Sequence, residues 1–597
     1  MAEPSFEIPP LEKSPEKRLD SWKEIAAYLN RDVTTVQRWE KREAMPVHRH
    51  VHERRGSVYA SPEELDAWIK SRSARLDESN GKSETELPSI VLDGHDAKAP
   101  RKLRLWLALA AAIFICLVAA TLLLFRHRST ATAQPAIRSL AVLPLRNLSG
   151  DPAQDYLADG MTEALTGRLS KIHSLRVISY TSVVRFKDSQ LSAPEIARML
   201  NVDALVEGSV IREGSRIRVT AQLIRGVTDE HFWSESYDRE MRDALVLESE
   251  LAQAIAEKVE VTVSGEEHER LTTARTVAPE VYESYLKGKF ILEDPNNTDW
   301  GKSIPYFEDA VNKDPTFAPA YLGLASVYTG LGMVFAGNSP VETRPKALSF
   351  VRKALVLDPD LAEGHVILGN LLQEEWHWSE AETEYKRALE LDPNSAGAHA
   401  GFALWLLCEG HTDEAVEWME RARELDPVAV SGGAVSSILF QARRYDEAIR
   451  EGRSDLAVQP NDALTMMDLG FALVADNQPT EAIPVLEKAI SLTKASAAVT
   501  GILIRAYAHA GRRTDALQLL EQLKRSSKAR YIPAGAFVNA YLGLGDKERA
   551  FYWLEQAYRE HSNIMQFLKT HPFFDPIRGD PRFADLVRRV GLDNSGG

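Results

Sequence analysis

The stretch LGNLLQEEWHWSEAETEYKRALELDP, residues 368–393, decides the fold of the larger part of the chain. Its apolar residues recur at helical spacing, and Pro393 ends the second of two short helices. The alanine near the start of the second helix returns every 33 or 34 residues, at Ala347, Ala381, Ala415, Ala448, Ala482, Ala516 and Ala550. A fixed period of this length predicts an all-α solenoid in which each helix pair stacks on its neighbours.

These repeats resemble the tetratricopeptide family, whose period is also 34 residues. The small, aromatic and proline slots of that family are filled here by Gly369, Ala381, Tyr385, Ala388 and Pro393. The resemblance implies about eight repeats over residues 280–570. A capping segment is expected at 571–597, where four apolar side chains would cover the last repeat: Phe573, Phe574, Phe583 and Leu586.

A superhelix of such repeats has a concave groove. The phase of the family places one set of side chains in this groove: Asn370, Gln373, Leu404, Leu407, Phe440, Met467 and Phe471. A mostly apolar groove fits a protein or peptide ligand. The same side chains could equally form the core between repeats, so the sequence leaves both alternatives open.

Composition sets limits on the whole chain. Its 597 residues, 44% of them hydrophobic and 26% charged, are typical of a globular protein with several domains. The 71 basic and 86 acidic residues give a net charge of −15, which argues against a nucleic-acid-coating protein but leaves room for a small basic module. With only Cys116 and Cys408, a disulfide framework is excluded.

An uncharged apolar run, LWLALAAAIFICLVAATLLLF, occupies residues 105–125. As a helix it would be about 31 Å long, which matches the hydrocarbon thickness of a bilayer and predicts a single transmembrane helix. More basic residues precede the run than follow it, namely Lys98, Arg101, Lys102 and Arg104 against Arg126 and Arg128. This bias favours a single-pass protein of the bacterial inner membrane with a cytoplasmic N-terminus and periplasmic C-terminal domains.

Residues 18–75 are predicted to form a small winged helix-turn-helix head, joined to the apolar run by a flexible linker at 76–104. Two short helices come first, then a hairpin that turns at Gly56, then a helix that begins at Ser61-Pro62. The stretch EIAAYLNRDVTTVQRWEK, residues 24–41, resembles DNA-binding domains of the MerR and excisionase type.

The second helix and the hairpin of this head carry the side chains that DNA binding requires, which are cations for phosphates and polar groups for base edges. The candidates are Thr34, Thr35, Gln37, Arg38, Lys41, Arg42, Arg49, Arg54 and Arg55. The alternative is a solvated helical face on a head that no longer binds DNA. The alternating His48, His50 and His52 are not predicted to bind a metal, because the arginines beside them would repel a cation.

Alternating strand and helix patterns predict an α/β domain with a mixed sheet over residues 136–265. The segments LAVLPLRNLSGD, YLADGMTEALTGRL and DALVEGSVIREGSRIRVTAQLI resemble the amino-terminal domain of the periplasmic TolB protein. That resemblance implies a domain without enzymatic activity. The sequence contains no catalytic, nucleotide-binding or metal-binding motif, so no enzyme activity, cofactor or metal is expected.

The predicted fold class is therefore multidomain: a winged helix-turn-helix head, one transmembrane helix, an α/β domain and an all-α repeat solenoid. This order resembles one-component regulators of the CadC and ToxR kind. The resemblance implies a membrane-anchored transcriptional regulator whose head binds DNA and whose exported repeats bind a protein or peptide signal. A head of this size usually needs two copies for a useful affinity, so the geometry of two half-sites suggests a homodimer. The alternative is a non-catalytic envelope scaffold whose head does not bind DNA.

Overall fold

The computed structural model describes residues 136–593 with short gaps at 274–275, 295–298, 333–337, 428–429, 431 and 494, and parts of residues 19–68. The chain divides into two compact units, Met1–Thr132 and Ala133–Gly597.

The first unit contains a short helix, Trp22–Tyr28, and a two-stranded antiparallel hairpin formed by β1 (His48–Arg49) and β2 (Val58–Tyr59). The helix begins after Ser21, whose hydroxyl oxygen accepts a hydrogen bond from the backbone N–H of Glu24 at 3.2 Å. The helix and the hairpin share a small apolar core, made of Ile25, Ala26, Val36, Met45, Ala60, Leu65 and Trp68.

No helix among the described residues is both long and apolar enough to cross a membrane. This finding contradicts the predicted fold class with its transmembrane helix, and the predicted inner-membrane location with it. The predicted span at 105–125 lies outside the described residues, as does the linker at 76–104. The longest described helix, Pro340–Leu357, carries five charged side chains that a bilayer interior would not accept: Glu342, Arg344, Lys346, Arg352 and Lys353.

The corrected fold class is a mostly helical chain with repeat helices and one small mixed sheet. In the second unit the sheet order is β5-β3-β6-β7-β8, and β4 pairs with β6. β3 is parallel to β5 and β6, whereas β6, β7 and β8 are antiparallel. The strands are β3 (Ser139–Val142), β4 (Arg146–Asn147), β5 (Arg176–Val177), β6 (Ala204–Glu213), β7 (Arg216–Arg225) and β8 (His231–Glu240).

Helices cover both faces of this sheet. Asp155–Leu169 and Ala244–Lys258 pack on one face, in a core that continues into the first repeat through Tyr282 and Leu286. Ala193–Leu200 packs on the other face through Ile196, Ala197 and Leu200. The shorter helices of this domain are Tyr180–Val183 and Gly265–Thr272.

Within the described residues, eight consecutive helix pairs follow the α/β domain and are numbered here as repeats 1 to 8. The first helices of repeats 1 to 8, in order, are Pro279–Glu293, Ala318–Leu331, Ala362–Glu374, Ala396–Glu409, Gly432–Gln441, Ala463–Ala475, Ala497–His509 and Ala534–Leu544. The second helices, in the same order, are Ile304–Lys313, Pro340–Leu357, Trp378–Leu391, Thr412–Leu425, Tyr445–Val458, Pro479–Leu492, Arg513–Ser526 and Lys547–Arg559.

The small residues of the repeat motif allow these helices to approach one another closely. The buried ring of Tyr385 lies against Gly369 of its own repeat and Gly401 of the next. A Cβ atom added at Gly369 or Gly401 would lie 2.9 or 2.5 Å from Cε1 of Tyr385, which is too close for any side chain. Glycine is therefore required on both sides of this ring.

The α/β domain docks on the loops that join repeats 3, 4 and 5. The Asn394 side chain is buried there, and its Nδ2 donates to the backbone oxygens of Ser170 and Leu175, both at 2.8 Å. One repeat later, Oδ1 of Asp426 accepts from the Ser182 hydroxyl at 2.7 Å. Because buried backbone oxygens need partners, this contact orders the α/β domain against the solenoid.

We expect Asn394→Ala to lower the free energy of unfolding by about 1–3 kcal/mol, because it leaves two buried backbone oxygens without a donor. The matched control is Asn461→Ala. Asn461 also follows a proline in the loop between two repeats, but it is exposed. Urea denaturation followed by circular dichroism should separate the two variants. Equal stability of both would contradict a structural role for Asn394.

Candidate functional site

The C-terminal segment, residues 561–578, lies along the face formed by the first helices of repeats 3 to 7, called here the first-helix face. The second helix of repeat 8 ends at Arg559, and two 3-10 turns follow, Asn563–Phe567 and Pro572–Ile577. Proline at the start of the second turn is suited to a new turn and cannot extend a preceding helix. The chain then returns to repeat 8 through the helix Pro581–Arg589.

Polar side chains of three repeats hold this segment. Nε2 of Gln373 donates to Oε1 of Gln566 at 2.9 Å, and both side chains are buried. The hydroxyl of Thr570 donates to Oε1 of Gln441 at 2.9 Å. Lys569 donates to the backbone oxygen of Glu409 at 3.1 Å.

An aromatic cluster occupies the middle of the first-helix face. Phe440 and Phe471 come from repeats 5 and 6, and His571 and Phe573 come from the C-terminal segment. The Phe573 ring centroid lies 5.7 Å from that of Phe440 and 5.4 Å from that of Phe471, in T-shaped and tilted geometries that aromatic pairs favour. The His571 ring stands edge-on to the same two phenylalanines.

Charged groups surround this cluster. The guanidinium of Arg505, from repeat 7, lies over the Phe573 ring with its central carbon 3.5 Å from the centroid. Burial lowers the pKa of Arg505 to about 9. Burial, reinforced by the positive charges of Arg505 and Arg578, lowers the pKa of His571 to about 3. His571 is therefore neutral, and its Nδ1 accepts a hydrogen bond from the backbone N–H of Phe573 at 3.3 Å.

Further contacts tie early repeats to the end of the array. Nη2 of Arg344, from repeat 2, donates to the backbone oxygen of His561 at 3.2 Å. The Trp376 ring, at the end of the first helix of repeat 3, stacks on the His561 ring with centroids 4.0 Å apart. Nε1 of Trp378 donates to the backbone oxygen of Val590 at 2.8 Å.

The seven predicted groove residues separate into two groups. Gln373, Phe440 and Phe471 contact the C-terminal segment. The others pack or bond within the solenoid: Leu404, Leu407 and Met467 belong to the core between repeats, and Oδ1 of Asn370 accepts from the Tyr385 hydroxyl at 2.8 Å.

The four predicted cap residues also separate. Phe574, Phe583 and Leu586 pack in the apolar core of the last repeats. Phe573 instead belongs to the core of the middle repeats, on the first-helix face.

Arg505 and Asn539 were not among the predicted groove residues, although they belong to the same slot of the repeat as Phe471. Arg505 follows Phe471 by 34 residues, and Asn539 follows Arg505 by another 34. Extending the period through repeats 7 and 8 would therefore have found both. The position of the C-terminal segment had no comparable signal, because its partners lie far away in the sequence.

Most of the predicted DNA-binding residues lie outside the described residues, namely Thr34, Gln37, Arg38, Lys41, Arg42, Arg54 and Arg55. Thr35 lies in a half-buried helical turn, and Arg49 lies in β1. Nε2 of His48 is 2.9 Å from a carboxylate oxygen of Glu64. The described residues contain no cluster of His, Cys, Asp or Glu that could hold a metal ion.

Comparison with known proteins confirms the repeats. Two tetratricopeptide repeat models match residues 362–395 and 473–531. A protein named Putative adenylate cyclase 3, from Rhizobium meliloti (strain 1021), is 32% identical over 249 residues, which cover 42% of this chain and 42% of that protein. The chain therefore matches less than half of the length of this relative.

Among solved structures, the crystal structure of YrrB, titled a TPR protein with an unusual peptide-binding site, is 21% identical. The match covers 31% of this chain and 91% of YrrB, with a TM-score of 0.22. The two family models place tetratricopeptide repeats in the C-terminal helical region. The resemblances of the head and of the α/β domain remain predictions from the sequence.

We expect His571→Gln to make the stability of the protein less sensitive to acid. The folded pKa of His571, about 3, lies below the ordinary value of 6.5, so the unfolded chain takes up a proton first as the pH falls. The stabilising contribution of neutral His571 is complete above pH 6.5 and is lost between pH 6.5 and 3. In that window the free energy of unfolding should fall more steeply for the wild type, by up to about 1.4 kcal/mol per pH unit.

Urea denaturation at several pH values measures these slopes. The control is His268→Gln, because His268 is exposed on the helix Gly265–Thr272. Equal slopes for the wild type and His571→Gln would show that His571 is not held neutral by its surroundings.

Proposed function

We propose that the protein acts by binding and not by catalysis, and that its repeats hold a peptide segment of a protein partner on the first-helix face. Tetratricopeptide repeats are interaction modules, because their stacked helices present a long surface. One observation carries the proposal for this chain. Its own C-terminal segment lies on that surface in two short 3-10 turns, held by side chains of several repeats.

The contacts of the C-terminal segment define the chemistry of the partner. Phe440 and Phe471 accept an aromatic ring, and the Arg443 guanidinium bonds the Asp575 carboxylate through two nitrogens at 2.6 and 2.8 Å. The buried amide of Gln441 accepts from a hydroxyl. A partner segment of this kind carries a hydroxyl residue, one or two aromatic residues and an acidic residue in that order, as Thr570 to Asp575 do.

The C-terminal segment competes with such a partner. It is covalently attached, so its effective concentration at the first-helix face is far above that of a separate peptide. A partner therefore binds only when its own contacts outweigh those of the segment, or when the segment is weakened. This competition suggests a direct test.

The probe is a labelled synthetic peptide, KTHPFFDPIR, with the sequence of residues 569–578. We expect the full chain carrying Phe573→Ala and Asp575→Ala to bind it at least about tenfold more tightly than the wild type, because the attached segment then competes poorly. Fluorescence anisotropy measures the affinity. A peptide of the same composition in scrambled order should not bind.

The matched control variant is Tyr552→Ala, which removes an exposed aromatic ring from repeat 8. It should behave as the wild type. Circular dichroism verifies that the double variant is folded. Failure of the folded double variant to bind the peptide would contradict peptide recognition by the first-helix face.

The activity named for the Rhizobium meliloti relative is not part of this proposal, because the aligned residues cover only 42% of each protein.

A second proposal concerns the head, which we propose binds DNA. The helix Trp22–Tyr28 and the hairpin share one apolar core, as the winged helix-turn-helix interpretation requires. The basic residues between them supply the cations that phosphates need.

In the full chain, replacing both Arg38 and Arg42 by Ala should weaken DNA binding and lower the salt dependence by about two units of slope, because two phosphate contacts are lost. Anisotropy titrations with duplex DNA at several salt concentrations measure both quantities. The control replaces Arg421 and Arg453, two exposed arginines of the repeats, by Ala. Equal affinity and equal slope in the head variant and the wild type would contradict DNA binding through Arg38 and Arg42.

A further inference from the structure

Arg505 is a buried cation that no carboxylate among the described residues contacts directly. Its side chain extends from the first helix of repeat 7 and is only 4% exposed. Its Nε and Nη1 have no hydrogen-bond partner among the described residues. A guanidinium carries five N–H groups and no acceptor, so each of these nitrogens loses its contacts with water without replacement.

The contact with Phe573 offsets only part of this cost. A cation over an aromatic face gains less than an unpaired buried charge loses. In repeats 4 to 6 the same slot holds Leu404, Ser437 and Phe471, none of which carries a charge.

The charges around Arg505 do not balance. Asp575 is the acidic group that faces it, but both oxygens of Asp575 are already bonded. Arg443 donates to them at 2.6 and 2.8 Å, and Arg578 donates at 2.8 Å. The Asp575 carboxylate is therefore bonded to the guanidinium groups of Arg443 and Arg578 and not to Arg505, and the neighbouring His571 is neutral. The local net charge is positive.

The positive charge of Arg505 also affects two nearby histidines, His509 and His571. Burial and the charge of Arg505 lower the pKa of His509, one turn further along the same helix. The same two causes act on His571 from the C-terminal segment.

The adjacent first helix, in repeat 8, supplies a second polar side chain without a partner. Asn539 occupies the slot of Arg505 one repeat later, is 6% exposed, and its Oδ1 has no partner among the described residues. The two helices approach closely beside it, since a Cβ added at Gly543 would lie 2.6 Å from Cα of Arg505. The side-chain amide of Asn539 can offer N–H donors after rotation about its last bond.

We propose that Arg505 is the principal ligand of an anion-binding site on the first-helix face, which takes a small oxyanion of the carboxylate or phosphate class. Arg505 donates a charge-assisted hydrogen bond to the anion through one of its unpartnered nitrogens, Nε or Nη1, and its charge suits both classes of oxyanion. The amide of Asn539 donates a second hydrogen bond from the adjacent helix. The site goes beyond the proposed peptide recognition, because a free anion neutralises Arg505 while the C-terminal segment stays in place.

Thermal unfolding of the full chain tests the site, with inorganic phosphate and succinate as separate probes against sodium chloride of equal ionic strength. We expect one or both anions to raise the Tm of the wild type by about 2 °C relative to chloride, because a ligand of the folded state stabilises it. Arg505→Gln should abolish this rise. A rise with phosphate alone assigns the site to phosphate, and a rise with succinate alone assigns it to carboxylates.

The control is Arg453→Gln, an exposed arginine whose partner is Glu481 at 2.6 Å, and it should keep the full rise. An equal rise in the wild type and Arg505→Gln would overturn the proposal, and so would the absence of any rise in the wild type. If Arg505→Gln does not fold, equilibrium dialysis of the wild type with labelled phosphate and succinate decides. One bound anion per chain supports the site, and no binding at millimolar concentration overturns it.

Discussion

The packing of Tyr385 between two glycines is the constraint on which the rest of the second unit depends. Gly369 and Gly401 come from consecutive repeats, so the ring fixes the distance between them. Its hydroxyl lies 3.1 Å from Oε1 of Gln373, whose Nε2 in turn holds Gln566. The packing of Tyr385 therefore has two effects: it sets how closely the repeats stack, and it positions Gln373, whose side chain binds the C-terminal segment.

The same period places equivalent groups at the edge of the solenoid. Asp392 and Asp426 are 34 residues apart, and each accepts a hydrogen bond from a serine of the α/β domain: Asp392 from Ser170 at 2.7 Å and Asp426 from Ser182 at 2.7 Å. The regular repeats thus place two carboxylate acceptors, 34 residues apart, where the α/β domain contacts the solenoid. The α/β domain is oriented by the loops of the repeats, while the first-helix face remains the place where the C-terminal segment lies.

The sequence predicted those parts of the fold that rest on local or periodic signals. The helix pairs follow from the alanine period, because each repeat contacts mainly its neighbours. The contact between Gln373 and Gln566 joins residues 193 apart and has no periodic signal, so the course of the C-terminal segment could not be predicted. Arg505 was predictable from the period, but the absence of a carboxylate in direct contact with it, among the described residues, was not, because that depends on three-dimensional surroundings. The fold class was wrong in its membrane helix, because it relied on the apolarity of 105–125, while no helix among the described residues is both long and apolar enough to cross a membrane.

The bonds from Arg344 to His561 and from Trp378 to Val590 have a consequence for how the array comes apart. An open solenoid loses its terminal repeats first, one after another, because each end has a neighbour on one side only. Here the C-terminal end also rests on repeats 2 and 3, so detaching it breaks contacts at both places at once. We therefore expect the repeats to unfold together in a single cooperative transition, and not one after another from the C-terminal end.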